Sequence, residues 1–320
     1  MCLITVIIPN YNHSNFIKQR IDSVLNQTFQ DFDLIILDDC SSDNSKEIIE
    51  MYRKHKKVSN IIYNNSNSNS VFKQLAKGIE LAKGEYIWIA ESDDFADSRF
   101  LEIMIRHFKS NPSAGVSYTD SNLLDENFNL TKSFYKKYRS NIFNTNRWDY
   151  FYINSGYNEV NTYLIYDCTI NNMSAFLFRR DLVSKHDLYM IQQFKYSGDW
   201  LFYLLLVSKT NIIYEPTPLN TIRRTSSNFK SSVQTHQNHF LERTLVRYIY
   251  FKQNVNFVKN HFKVILKINK EFLQLTKLII KNRLSWLPIL NGLLILCKLY
   301  RFYFLSKIPL TFNFRCPRKY

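Results

Sequence analysis

The sequence predicts an α/β fold in which a mostly parallel central sheet is flanked by helices and followed by a C-terminal helical extension. Three observations predict it. Over the first 120 residues, short and nearly all-apolar runs alternate with segments of helical period, the pattern of a parallel sheet covered on both faces. Hydrophobic residues make up 45% and aromatics 16% of the 320 residues, a composition that supports a substantial core and excludes a disordered chain. The charge is divided: residues 230–320 hold 17 Lys or Arg against 2 Asp or Glu, which is the whole net charge of +15, so residues 1–229 are neutral.

Strands are expected at Ile4–Ile8, Leu34–Leu37, Asn60–Tyr63, Tyr86–Ala90 and Gly115–Tyr118, each a short run bounded by polar or turn-forming residues. Between them, Ser14 is expected to cap a helix with Ile17, Ile21, Val24 and Leu25 on one face, and Asp43 to cap the next. Ser70 is expected to cap a helix carrying Val71, Leu75, Ile79 and Ala82, and Ser98 to start one with Leu101, Met104, Ile105 and Phe108 inward. After residue 120 the alternation fades into Tyr- and Asn-rich sequence, read as an irregular continuation that completes the site. We divide the chain into an α/β domain at 1–235, made of a regular half at 1–120 and a less regular half at 121–235, and a basic region at 236–320.

In that region Lys259, Lys263, Lys267, Lys270, Lys277 and Lys281 recur near one helix face. Trp286–Cys297 then runs uncharged for 12 residues, too short to span a bilayer and suited to an interface. Basic residues on an amphipathic helix followed by an apolar, aromatic run point to an anionic membrane surface rather than nucleic acid, which basic and aromatic residues meet on a sheet or in a groove; helical packing against the core with a charged outer face is the competing reading. Cys2, Cys40, Cys168, Cys297 and Cys316 form no CxxC pair, which disfavours zinc and disulfide frameworks. The chain opens directly into an apolar strand without signal-peptide features. The expected location is cytoplasmic, peripheral on the inner face of the plasma membrane.

Ligands of an open parallel sheet bind beyond the carboxyl ends of its strands, so the residues that follow each strand carry the chemistry. The first strand leads into Pro9, Asn10, Tyr11 and Asn12, and the second ends on Asp38 and Asp39. The fourth leads into Glu91, Ser92, Asp93 and Asp94. Carboxylates this close repel one another unless a cation sits among them, and an oxygen-only donor set suits Mg²⁺ or Mn²⁺. Such an ion would bridge a diphosphate and neutralise it as a leaving group. A solvated turn or helix start is the competing reading of the same acids. No GxGxxG follows the first strand and no GxxxxGK[ST] occurs, so dinucleotide and P-loop chemistry are disfavoured. Phosphate charge would then fall to metal and basic side chains, with Arg223 and Arg224 as candidates and Lys73 as a further one.

Taken together, these segments resemble the family 2 inverting glycosyltransferases of the GT-A fold. VIIPNYN is similar to that family's opening strand, LDDCSSD to its nucleotide-base loop and AKGEYIWIAESDD to the run into its metal motif. The resemblance continues at NMSAFLFRR (172–180) and SGDWLFYL (197–204). It implies that Pro9, Tyr11 and Asp39 contact the nucleoside, that Asp93 ligates the metal with Glu91 as a second candidate, and that Asp199 is the general base. A carboxylate there would take the proton of an acceptor hydroxyl as it attacks the anomeric carbon; the competing reading is that Asp199 caps its helix. Two positions depart from the pattern: Glu91 replaces the first aspartate of the metal motif, and Thr225 stands where relatives often have histidine. The implied function is sugar transfer from a nucleotide-diphosphate sugar, a UDP-sugar by resemblance, to a glycan or lipid-linked glycan acceptor, a precursor of a surface polysaccharide. Nucleotidyl transfer at a similar acidic site and a non-catalytic membrane-associated scaffold are the alternatives.

Overall fold

A computed structural model describes residues 2–170, 172–224, 233–254, 263–264 and 266–271. The chain forms two compact units, Met1–Lys230 and Ser231–Tyr320. In the first, β1 (Ile4–Asn10) is buried along its whole length, as its unbroken apolar run requires of a doubly covered strand. Helix α1 (Ser14–Leu25) packs Ile17, Ile21 and Val24 inward. Next come β2 (Phe32–Asp38), α2 (Ser45–Glu50), β3 (Val58–Tyr63), α3 (Val71–Leu81) and β4 (Tyr86–Ile89). A two-residue β5 (Phe95–Ala96) precedes α4 (Phe100–Ser110), which buries Leu101, Met104, Ile105 and Phe108 as its period predicts.

The helix starts differ from expectation in an instructive way. Ser70 does cap α3, its hydroxyl accepting from Lys73 N. Ser14 does not cap α1; its own N–H donates to Asp43 Oδ2 at 2.8 Å. Asp43 Oδ1 also accepts from Ser45 N at 3.0 Å, so one carboxylate closes the starts of both α1 and α2, satisfying donors that a helix leaves unpaired. Helix α4 begins two residues after Ser98, with Arg99 at the N-cap position.

The strand expected at Gly115–Tyr118 is longer, β6 (Ala114–Leu124). The stretch after residue 120, read as irregular, is more regular than its composition suggested: it holds β7 (Leu130–Thr131), α5 (Phe134–Phe143), β8 (Tyr152–Ser155), α6 (Gly156–Glu159), β9 (Phe176–Arg179), α7 (Lys185–Ile191), α8 (Gly198–Val207) and β10 (Asn211–Arg223). β10 was obscured by Pro216 and Pro218, which fall where its pairing with β6 shifts register, the position where a strand tolerates proline. The sheet order is β3-β2-β1-β4-β9-β6-β10-β5, with β7 on β6 and β8 on β10. β1 pairs in parallel with β2 and β4, β2 with β3, and β6 with β10. β9 runs antiparallel to both β4 and β6. The strand order reverses at β1, which sits between β2 and β4, so a crevice opens beyond the carboxyl ends of β1 and β4.

The close packing has local causes. A Cβ on Gly84 would lie 2.5 Å from Thr5 N, so only glycine lets the chain enter β4 so near to β1. Trp88 of β4 stacks on Phe100 of α4 with centroids 4.5 Å apart. Beyond β9, Arg139 of α5 is buried against Asp120, 2.7 Å away, and under the rings of Tyr118, Trp148 and Tyr214, which fixes α5 on the sheet. In the second unit α9 (Val233–Gln253) carries Arg247, paired with Glu271 at 2.9 Å. No helix among the described residues is long and apolar enough to cross a membrane. Lys259, Lys277, Lys281, Thr225 and the run Trp286–Cys297 lie outside the described residues.

Candidate active site

Two cavities open at the crevice and share one wall, Glu91 and Asp93. The first, about 430 Å³, is lined by residues that include Pro9, Tyr11, Asp39, Ser70, Gln74, Ser92 and Lys195. The second, about 460 Å³, is lined by Asp94, Phe134, Tyr135, Tyr138, Asn172, Arg223 and Arg224 among others. The topology accounts for this arrangement: β1 delivers Pro9 and Tyr11, β2 delivers Asp39, and β4 delivers the acidic loop, all at the same sheet edge.

Asp39 is held from several sides. Its carboxylate accepts from Asn64 Nδ2 at 2.6 Å, Gln74 Nε2 at 2.8 Å, Ser68 N at 2.9 Å and Ser68 Oγ at 2.7 Å. This buried acid is therefore held rigidly at the edge of the first cavity. Asp38, its neighbour, does another job: it is buried and accepts from Asn10 Nδ2 at 2.8 Å and Ser41 Oγ at 2.6 Å, and it does not line the cavity. Asn12, in the left-handed region at φ 54, ties the first loop to the second by accepting from Ser42 N at 2.8 Å. Tyr11 is 47% exposed, which leaves its ring free to meet a ligand.

The acidic loop is anchored from behind by Arg20 of α1. Arg20 donates to Glu91 O at 2.8 Å and to Ser174 Oγ at 3.1 Å and lies 3.9 Å from Asp94. Ser174 also accepts from Glu91 N at 3.0 Å, which gives the NMSAFLFRR segment a structural role in setting the loop. Asp94 is buried and further bonded by Asn172 Nδ2. Desolvation and the neighbouring Asp93 push its carboxyl up to about 7, against the pull of Arg20. Burial lowers Arg20 to about 10, with Asp94, Asp93 and Glu91 opposing. Desolvation, then Asp94, Asp93 and Asp199, raise the Glu91 carboxyl well above its usual range.

Arg20 and Arg223 offset this crowded set of acids only in part, since the Asp94 and Glu91 carboxyls remain raised. Among the described residues no group of three or more His, Cys, Asp or Glu forms a ready-made cation cage. Glu91 and Asp93 fit instead a Mg²⁺ or Mn²⁺ held by one or two carboxylates, with ligand phosphates completing the shell. Asp199, in the first turn of α8, is half-buried and near enough to Glu91 for its charge to act there. Ser197, rather than Asp199, occupies the N-cap position of that helix.

Other candidates fare differently. Lys73 is exposed, its ammonium 3.5 Å from Ser68 O, and is absent from the lining of both cavities. Arg223 folds back onto the acidic loop, donating to Asp93 O at 3.3 Å and to Gln19 Oε1 and lying between Phe16 and Phe95, each 4.9 Å away. Arg224 faces the second cavity. Sequence reasoning missed His13, whose Nδ1 lies 2.7 Å from Ser92 Oγ, as well as Lys195 and the Asn/Ser loop 64–70. That loop follows the third strand, and its position at the carboxyl edge was the available signal.

Comparison with known proteins identifies the family and the fold. Residues 5–186 match the family model for glycosyl transferase family 2. Among curated relatives, the poly(ribitol-phosphate) beta-glucosyltransferase of Bacillus spizizenii is 35% identical over 112 residues, 34% of this chain and 18% of that one. The chain spans less than half the length of the curated relatives it matches. S. aureus TarS 1–349 in complex with UDP-GlcNAc superposes with a TM-score of 0.57 at 16% identity, covering 85% of this chain and 80% of that one. The mannosyltransferase PcManGT from Pyrobaculum calidifontis, in complex with GDP-Man and Mn²⁺, gives a TM-score of 0.55 at 12% identity, covering 95% and 87%. The fold is thus that of GT-A transferases, and, with more than half of its residues matched by the family model, this chain belongs to the family 2 glycosyl transferases.

Proposed function

We propose that this protein transfers one sugar from a nucleotide-diphosphate sugar, a UDP-sugar, to a hydroxyl of a glycan acceptor with inversion at the anomeric carbon. The observation that carries the reading is the shared wall. Glu91 and Asp93 stand between a cavity that ends on the rigid Asp39 and a cavity lined by aromatic and basic side chains, and Asp199 lies close to that wall. Asp39, Pro9 and Tyr11 hold the nucleoside, while Ser92 and Asn12 shape the loops beside it. Arg224 faces the second cavity, where the acceptor enters. Asp199 accepts the proton of the acceptor hydroxyl as its oxygen attacks the anomeric carbon; the bond to the diphosphate breaks and the electron pair leaves with it. Asp93 and Glu91 would hold a Mg²⁺ or Mn²⁺, which would supply charge neutralisation to that leaving group.

The acceptor we infer is a lipid-linked precursor of a surface polysaccharide. The polymer-modifying activity printed for the Bacillus relative and the concentration of the whole net positive charge in residues 230–320 support it. That region binds an anionic membrane from the cytoplasmic side. A thermal-shift screen against UDP- and GDP-sugars with and without Mn²⁺ tests the reading, since a ligand of the native state raises the midpoint. A metal-dependent rise with a UDP-sugar is expected, followed by release of UDP when acceptor is added. No shift with any nucleotide sugar refutes the proposal, and release of pyrophosphate would assign nucleotidyl transfer instead.

A further inference from the structure

A donor diphosphate needs positive charge, and this chain has no glycine-rich loop to supply backbone donors. Among the described residues lining the cavity between Asp39 and Asp93, Lys195 is the one lysine or arginine; its ammonium lies 5.6 Å from the ring centroid of Tyr196. None of the other described lysines and arginines near the crevice lines this cavity, and Arg223 and Arg224 line the second. Arg20 is buried behind Glu91 and Asp94, Arg223 is bonded to Asp93 O and Gln19, and Lys73 reaches only Ser68 O.

Lys195 sits on the short connection between α7 and α8, and that connection is pinned. A Cβ on Gly198 would meet two ring carbons of Phe72 at 2.9 Å and Ile191 O at 3.0 Å. Phe72 is the second residue of α3 and is buried, directly after Ser70 and Val71, which line the same cavity. Glycine at 198 thus lets the α7–α8 connection close onto the start of α3 and carry Lys195 to the donor cavity. Asp199 follows four residues later.

We propose that Lys195 engages the diphosphate of the donor. The segment 195–199 then carries both the cation that receives the growing charge of the leaving group and the carboxylate that takes the acceptor proton. A lysine suits this task because its compact ammonium on a flexible stem follows a phosphate whose charge rises during bond breaking. The inference rests on the reading of the cavity as a nucleotide-diphosphate-sugar site.

The test is calorimetric titration of the full chain, in the presence of Mn²⁺, with UDP and with uridine, and in parallel with GDP and guanosine. Lys195→Met is expected to weaken the bound diphosphate roughly tenfold, the loss of one charge-assisted contact, and to leave the nucleoside affinity unchanged. Lys195→Arg is expected to recover most of that loss. Equal diphosphate affinity in wild type and Lys195→Met overturns the inference while the site reading stands. An equal loss for nucleoside and diphosphate also overturns it, because the effect would then be on the shape of the cavity. Failure of the wild type to bind either diphosphate overturns both.

Discussion

The guanidinium of Arg20 lies 3.9 Å from the carboxylate of Asp94, and both side chains are buried. The pair ties α1 to the back of the acidic loop, and Arg20 also bonds Glu91 O and Ser174 Oγ. Removing one partner of a buried pair strands the other charge. Arg20→Met is therefore expected to cost about 3–5 kcal/mol in urea unfolding. The double variant Arg20→Met, Asp94→Asn should cost less than the sum of the two single changes. Strict additivity would show that the pair is not coupled.

Binding and chemistry should separate at Asp93 and Asp199. Asp93→Ala is expected to abolish metal-dependent donor binding, whereas Asp199→Ala should retain donor binding and lower the transfer rate by at least about 10²-fold, the usual contribution of a general base. Titration of UDP and a single-turnover transfer assay measure the two. Full turnover by Asp199→Ala would remove the base assignment.

Asp39 is held by donors from Asn64, Ser68 and Gln74. Exchanging it for asparagine keeps the shape and replaces an acceptor with a donor facing those same groups. Asp39→Asn should weaken uridine binding by roughly tenfold or more with no change in the metal requirement. Uridine affinity equal to wild type would move the nucleoside elsewhere in the cavity.

Acid stability should report on Glu215. Burial works against its ionisation, but hydrogen bonds from His107 and Thr217 prevail and hold the carboxyl at about 2, below its ordinary 4.5. His107 Nε2 lies 2.9 Å from Glu215 Oε2. A group whose pKa is depressed by folding contributes stability above its unfolded value and loses it as pH falls toward its folded one. The window is thus pH 4.5 down to about 2, with roughly 2–3 kcal/mol at stake. His107→Ala should flatten the acid limb of the stability profile there, and an unchanged limb would refute the linkage.

The basic region should confer salt-sensitive attachment to anionic vesicles. The full chain is expected to sediment with phosphatidylglycerol vesicles at low ionic strength and to be released as salt screens the contact. Truncation near residue 240 should lower sedimentation. Equal sedimentation of truncated and intact chains would reject the interfacial reading.

What the sequence by itself determined about this protein is what local patterning encodes. The apolar runs of β1, β2 and β4 and the periods of α1, α3 and α4 are legible because burial on both faces of a strand, or on one face of a helix, is written in consecutive residues. The acids after those strands could be assigned to one sheet edge for the same reason. Only the tertiary structure decided the rest. Asp38 and Asp39 are adjacent and chemically alike, yet one faces Asn10 and Ser41 while the other faces the cavity, a choice set by the turn at Cys40, φ 63, and by the loop after β3. β9 inserts in reverse between β4 and β6, and the prolines of β10 hide a strand that long-range pairing nonetheless forms. Arg20 with Ser174, His13 with Ser92, and Lys195 in the cavity beside Asp39 join segments far apart in the chain. No spacing along the sequence specifies such contacts, because they arise where packing of the sheet and its helices brings distant surfaces together.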